Sequence, residues 1–256
     1  MLKQERPAPF VLIGASLDTL KLLAAVFMVV DHINLVCFED AVSWMFYLGR
    51  GSFPLFAFVM ACHLYRDTPL DRYLGRLVVF ALISQPVFVL AFHEDVLNIL
   101  FTLALGAVVA RWAVGQIPRR RHMLYCLALS SFFFEDAIDF DLIGIILPAL
   151  FVSVMRGERF AQLWTWIMLI LLNLDAAEVV RLEDQQPVVH EFSLDPVLIV
   201  AGTVVLPWVS YILCRRLRGD RFLPRYALYW FYPGHLLLFA IWRLLRGDLS
   251  LELFSF

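Results

Sequence analysis

The chain reads as an all-α, polytopic membrane bundle of about nine transmembrane helices with a cytoplasmic N-terminus. Three observations lead there. Of its 256 residues, 61% are hydrophobic and mean hydropathy is +0.77, more apolar surface than a soluble domain of this length can bury. The apolar residues gather into nine stretches near the roughly 20 residues that cross a bilayer. The connections between them alternate in charge, and Lys and Arg mark the cytoplasmic side of short loops.

The first span, 17–37, follows Lys3 and Arg6 and carries Lys21, Asp31 and His32 inside the apolar run. It lacks the plain apolar core and Ala-x-Ala-like exit of a signal peptide, so it is expected to remain as a helix. Span two, 44–64, lies between acidic Glu39 and Asp40 and basic Arg66, Arg72 and Arg76, and contains Arg50 and Pro54. Span three, 73–92, holds Ser84-Gln85-Pro86; span four, 97–115, opens with Asn98 and is followed by Arg119, Arg120 and Arg121. Spans 122–135 and 140–155 are short enough to be kinked or partly re-entrant; acidic residues Glu135 to Asp141 lie between them, and Arg156 and Arg159 follow. Span 161–180 leads into the longest loop, Arg181 to Ser193, whose acidic residues, Gln185, Gln186 and Pro187 suit an outer loop or lid. Spans 194–214 and 226–245 flank Arg215, Arg216, Arg218, Arg221 and Arg225. This pattern puts the N-terminus inside. Nine crossings put the C-terminus outside, against which only Arg243 and Arg246 speak.

The loops leave no room for an independent core, so residues 1–256 form a single domain, with no repeat of fixed period. Prolines 54, 86, 148, 207 and 233 are expected to bend helices or free carbonyls, with a break at Pro233-Gly234. Cys37, Cys62, Cys126 and Cys214 form no CxxC pair, and no metal site is expected. The net charge of −2 hides a segregation by side of the membrane, and nothing points to nucleic acid.

Ionisable residues inside spans are costly unless partnered or functional. Asp18, Lys21, Ala25, Met28 and His32 fall along one helical stripe, with Ala24 beside it, and Lys21 to His32 is roughly 16 Å along the axis. Such a stripe can line a path. With the N-terminus inside, His32, Arg50, Asn98 and His235 all fall in the outer half of the membrane. Adjacent side chains on a helix diverge by about 100°, so Asp31 and His32 each need a partner elsewhere. Arg50, between Gly49 and Gly51, is the natural counter-ion for Asp31. A neutral imidazole at His32 suits proton transfer to and from reacting groups. His235 suits the same cavity or a packing role on a carbonyl, and Asn98 equally suits a helix cap. The arginine clusters serve most simply as topology determinants; forks among Arg119, Arg120, Arg121, Arg215 and Arg216 are also suited to the phosphates of a cytosolic cofactor.

The blocks Lys21 through Asp31-His32, Gly49-Arg50-Gly51-Ser52-Phe53-Pro54-Leu55-Phe56, Asn98-Ile-Leu-Phe and Tyr232-Pro-Gly-His235 together resemble the TraX family. The Lys-to-His spacing is similar to the basic-x10-His signature of transmembrane acyltransferases that modify surface polysaccharides. The resemblance implies acetyl transfer from acetyl-CoA to an exported acceptor, the N-terminal amine of a pilin subunit in the family's known activity, in a bacterial inner membrane. It implies His32 as general base with Asp31, Arg50 and His235 in the catalytic set, Lys21 toward the donor, and Asn98 and Tyr232 toward the substrate. Membrane lipids are the other expected partner. A proton-coupled transporter uses similar intramembrane residues but lacks its usual repeat here, and a non-catalytic pilus or envelope assembly factor is the remaining alternative.

Overall fold

The computed structural model describes residues 10–66, 68–92, 96–113, 141–172 and 196–247. Among them the protein is helical: α1 (Gly14–Phe38), α2 (Ser43–Gly49), α3 (Ser52–Tyr65), α4 (Leu70–Phe92), α5 (Ile99–Ala113), α6 (Asp141–Met155), α7 (Ala161–Leu171), α8 (Pro196–Cys214) and α9 (Ala227–Arg246). Four stretches are long and apolar enough to cross a membrane: Gly14–Phe38, Ser43–Tyr65, Leu70–Phe92 and Val197–Cys214. Helices α5, α6 and α7 are apolar but shorter. Span 122–135, the loop 181–193 and the end of span 161–180 lie outside the described residues.

Helices α1 and α3 occupy the middle. Helix α1 packs on α2, α3, α8 and α9; α3 packs on α1, α5, α6 and α8; α4 closes the ring between α5 and α9. Small residues permit close approach where lipid offers no hydrophobic drive: Ala24, Ala57 and Ala61 are fully buried, and the Ser52 hydroxyl donates to the Ala24 carbonyl at 3.0 Å. Outward faces are apolar instead. Val78, Val79, Leu82 and Ile83 on α4 and Leu237, Leu238, Ile241 and Leu245 on α9 are exposed, as a surface bathed in lipid requires.

The expected single helix over 44–64 is interrupted at Arg50-Gly51, giving α2 and α3. Pro54 has no N–H to give to the carbonyl of Arg50, four residues earlier, so the break falls there and the proline sits harmlessly in the first turn of α3. The expected break at Pro233 does not occur: α9 runs through it, as α4, α6 and α8 run through Pro86, Pro148 and Pro207. One missing hydrogen bond mid-helix is tolerated where neighbours hold both halves.

Two devices fix the ends of α1. At its C-terminus, Glu39 and Asp40 take positive φ, while the buried Asn34 side chain accepts from the Val42 N–H at 3.0 Å and donates to Asp40. This sets the turn into α2. At its N-terminus, Gly14 has φ +57° and lies so close to Gly219 that a side chain would strike its carbonyl, which accepts from Ala15 N–H at 3.0 Å. Nearby Asp18, 1% exposed, pairs with Lys21 at 2.9 Å. Its other oxygen accepts the backbone N–H groups of Phe222 and Leu223 at 3.0 and 2.9 Å. The α8–α9 connection is thereby strapped across the start of α1.

Replacing Asp18 by Ala leaves a buried ammonium uncompensated and two N–H groups without an acceptor, a change that typically costs about 3–5 kcal/mol. Asp18→Ala should therefore unfold at much lower temperature or denaturant in detergent micelles, with Asp18→Asn recovering part of the loss. A destabilisation below about 1 kcal/mol would show that the strap is not structural.

Candidate active site

Asp31 faces α2 and His32 faces α9, the divergence that neighbouring positions on a helix impose. Arg50, at the break between α2 and α3, reaches both Asp31 oxygens through one nitrogen, Nη2, at 3.3 and 3.2 Å. Both side chains are about a fifth exposed. The guanidinium lies 4.5 Å from the centre of the Phe46 ring, and its Nε is buried without a hydrogen-bond partner. Gly49 is required here, because a Cβ would occupy the space of the Asp31 carboxylate. The Gly-Arg-Gly segment thus wraps the carboxylate closely enough for Arg50 to meet it.

His32 Nδ1 lies 3.0 Å from His235 Nε2, with the rings nearly parallel at 9°. The other His235 nitrogen, Nδ1, lies 3.0 Å from the Phe231 carbonyl. A carbonyl only accepts, so His235 carries its proton on Nδ1 and offers a lone pair at Nε2. His32 must then donate from Nδ1, which leaves its Nε2 unprotonated. Phe92 and Phe239 stand edge-on to His32 at 4.8 and 6.0 Å between ring centres. The arrangement is an oriented base inside an aromatic enclosure.

A cavity of about 450 Å³ lies between α1, α3, α4, α5 and α9. Toward the start of α1 its walls include Lys21, His63, Tyr73 and Arg76, and Arg221 and Arg225 from the strap. Toward the other end they become apolar, with Met28, Met60, Leu100, Leu103 and Phe231, and Tyr232 beside them. Met28 precedes His32 by one helical turn, and Phe231 and Tyr232 precede His235 by about one turn. The cavity therefore runs up to the turn that carries the histidine pair. A second, polar chamber of about 290 Å³ adjoins it and shares Lys21, His63, Thr68 and Arg221 with it.

The structure thus brings Lys21 and Tyr232 to the cavity, His32 and His235 to each other, and Asp31 to Arg50. Asn98 goes elsewhere. Its amide donates to the Ala81 carbonyl and to Gln85 at 2.9 and 2.8 Å and its oxygen accepts from Leu100 N–H, so it caps α5 and ties it to α4. Gln85 completes that joint by donating to the Val96 carbonyl at 2.7 Å. Arg215 and Arg216 are exposed and line neither chamber, while Arg119, Arg120 and Arg121 lie outside the described residues. The sequence reading overlooked Arg76, Arg221 and His63 as cavity residues. For Arg76 the signal is its position one turn from Tyr73 on α4. For Arg221 there is none, since it depends on a strap folded back over two hundred residues.

A double-mutant cycle on Asp31→Asn and Arg50→Gln should give a coupling of about 1–3 kcal/mol in folding stability, and Gly49→Ala should destabilise by a similar amount by displacing the carboxylate. Additive effects of the two substitutions would show that the pair does not act as one.

Compared with known proteins, the chain matches the family described as TraX protein over residues 16–243. It is 28% identical over 240 residues to the "Probable fimbrial assembly protein FimC, serogroup H1" of Dichelobacter nodosus, covering 86% of this chain and 92% of that protein. It is 27% identical over 228 residues to a "Protein TraX" of Escherichia coli, covering 88% and 86%. Over a shorter stretch of 99 residues, 37% of this chain and 39% of the relative, identity to "Protein TraX" of Escherichia coli (strain K12) reaches 40%. No solved structure matches. With the match running along this chain from the start of α1 to the last turn of α9, the chain belongs to the TraX family.

Proposed function

We propose that the protein is a bacterial inner-membrane acyltransferase that moves an acetyl group from cytosolic acetyl-CoA to an exported acceptor, the N-terminal amine of a pilin subunit being the leading candidate. The observation that carries this is the juxtaposition of an oriented histidine pair with the apolar end of a cavity whose other end is basic. Lys and Arg at that basic end fit a cytosolic face by the charge rule. The pilin acceptor rests on the relative named a fimbrial assembly protein and on the family likeness.

In this reaction the acceptor amine attacks the thioester carbonyl carbon. The C–N bond forms, the C–S bond breaks, and the amine proton passes to His32 Nε2 and then to the departing sulfur, so that protons balance and the base is regenerated. His235 holds His32 in the tautomer that leaves Nε2 free and stabilises the imidazolium through the Nδ1–H contact. Arg50, which does not line the cavity, either positions Asp31 through its single-nitrogen contact or stabilises the oxyanion that develops on the thioester carbonyl, and does not do both fully. A metal is not required for any of these steps.

The test is thiol release from acetyl-CoA by detergent-purified protein, with and without a pilin-like N-terminal peptide. His32→Ala and His32→Gln should lower kcat by about 10² to 10⁴ without loss of folding. His235→Ala should lower kcat by about 10-fold or more with KM for acetyl-CoA little changed, and His235→Gln, which keeps an acceptor, should recover part of it. Wild-type release that persists in His32→Ala would overturn the general-base role. Absence of release and of CoA binding in the wild type would overturn the enzyme in favour of an assembly factor or a proton-coupled carrier.

A further inference from the structure

Among the described residues lining the two chambers, Lys and Arg outnumber carboxylates. Lys21 and Asp18 neutralise each other at 2.9 Å, and among the described residues Asp18 is the only carboxylate lining either chamber. Arg66, Arg76, Arg221 and Arg225 also line the two chambers, and Arg221 comes within 3.8 Å of Asp18. Arg76 is held between Tyr73 and Tyr229, its guanidinium 5.9 Å from each ring centre, and its Nε is buried without a hydrogen-bond partner. Arg221, whose Nε lies 3.8 Å from Asp18 Oδ2 and donates to the Leu223 carbonyl at 2.9 Å, keeps about half its side chain exposed. Arg66, Arg221 and Arg225 are exposed and Arg76 is half-buried; like charges gathered at one mouth attract an anion, and planar forks on aromatic faces suit phosphate oxygens.

We propose that this passage, and not the arginine clusters at 119–121 or 215–216, is the phosphate site of an elongated, phosphorylated acyl donor. Arg76 and Arg221 hold the phosphates, and Arg66 and Arg225 flank them. This rests on the acyl-transfer function proposed above. The shape decides the ligand class. Beyond the basic neck the cavity is apolar, at Met28, Met60, Leu100, Leu103 and Phe231, and ends a turn below His32. A ligand with its charge at one end and a thin, uncharged arm carrying a thioester at the other fits both halves at once. The roughly 16 Å from Lys21 to His32 along α1 is then the distance that the arm spans.

The experiment is direct binding by the full chain in neutral phosphatidylcholine nanodiscs, with CoA, pantetheine and phosphatidylglycerol as probes. Wild type and His32→Ala should bind CoA equally. Arg76→Gln and Arg221→Gln should each weaken CoA by about 10- to 100-fold and leave pantetheine unchanged, with Arg76→Lys intermediate. The exposed Arg159→Gln should stay within about twofold. Arg221 lies on an exposed strap, so its substitution tests the site even where loss of Arg76 loosens the α4–α9 contact. CoA binding that is unaffected by both substitutions, or that is lost in Arg216→Gln instead, overturns the site and leaves acyl transfer standing. Binding of phosphatidylglycerol but not CoA through Arg76 makes this a lipid headgroup site and also overturns it. CoA binding through Arg76 and Arg221 with no thiol release at all upholds the site while the acyl-transfer function fails.

Discussion

Asp18, Asp31 and His32 lie on α1 where neither lipid nor bulk water can satisfy them, and each is met by a different part of the chain. Asp18 takes Lys21 and two N–H groups of the α8–α9 strap. Asp31 takes Arg50 at the α2–α3 break. His32 takes His235 on α9. Because an uncompensated intramembrane charge costs several kcal/mol, these contacts choose which elements sit beside α1. The apolar faces only decide how tightly they pack. The placement of α2, of the strap and of α9 therefore follows from polar satisfaction more than from hydrophobicity.

That is also why some of the structure could be read from the sequence and some could not. Helices are local: the apolar runs placed α1, α4, α5, α6, α8 and α9 to within three residues at each end, and the Asp31–Arg50 pair was legible because a carboxylate and a guanidinium at one depth have little alternative. The interruption at Arg50-Gly51 was hidden by continuous hydropathy on both sides. The imagined break at Pro233 overvalued one lost hydrogen bond against the packing of α9 on α4 and α1. Asn98 suited a binding residue and a helix cap equally, and its atoms cap α5 and join it to α4. Tertiary partners such as Arg221 on Asp18 have no sequence signal, since nothing near either residue announces the other.

The geometry separates two jobs that a single cluster would confuse. Had Asp31 and His32 shared a partner, one group would have had to satisfy both a carboxylate and an imidazole. Instead the helix turns them apart, Arg50 neutralises Asp31, and the neutral His235 orients His32 without adding charge. A neutral orienter suits an aromatic enclosure, where Phe92 and Phe239 offer no counter-charge. A second carboxylate at that position would itself have needed a cation.

The same economy explains the cavity. Its basic residues are confined to the end near Asp18, and its depth is lined by Met, Leu and Phe, so a charged ligand gains nothing by moving inward while an uncharged arm does. Such a gradient would favour one orientation of an elongated molecule charged at one end, because entry in the reverse sense would bury phosphates among methionines. In the proposed reaction, orientation of this kind would bring a thioester toward His32. The strap that contributes Arg221 is the same segment that Asp18 pins to α1, so the buried carboxylate that secures the fold also fixes one wall of the passage.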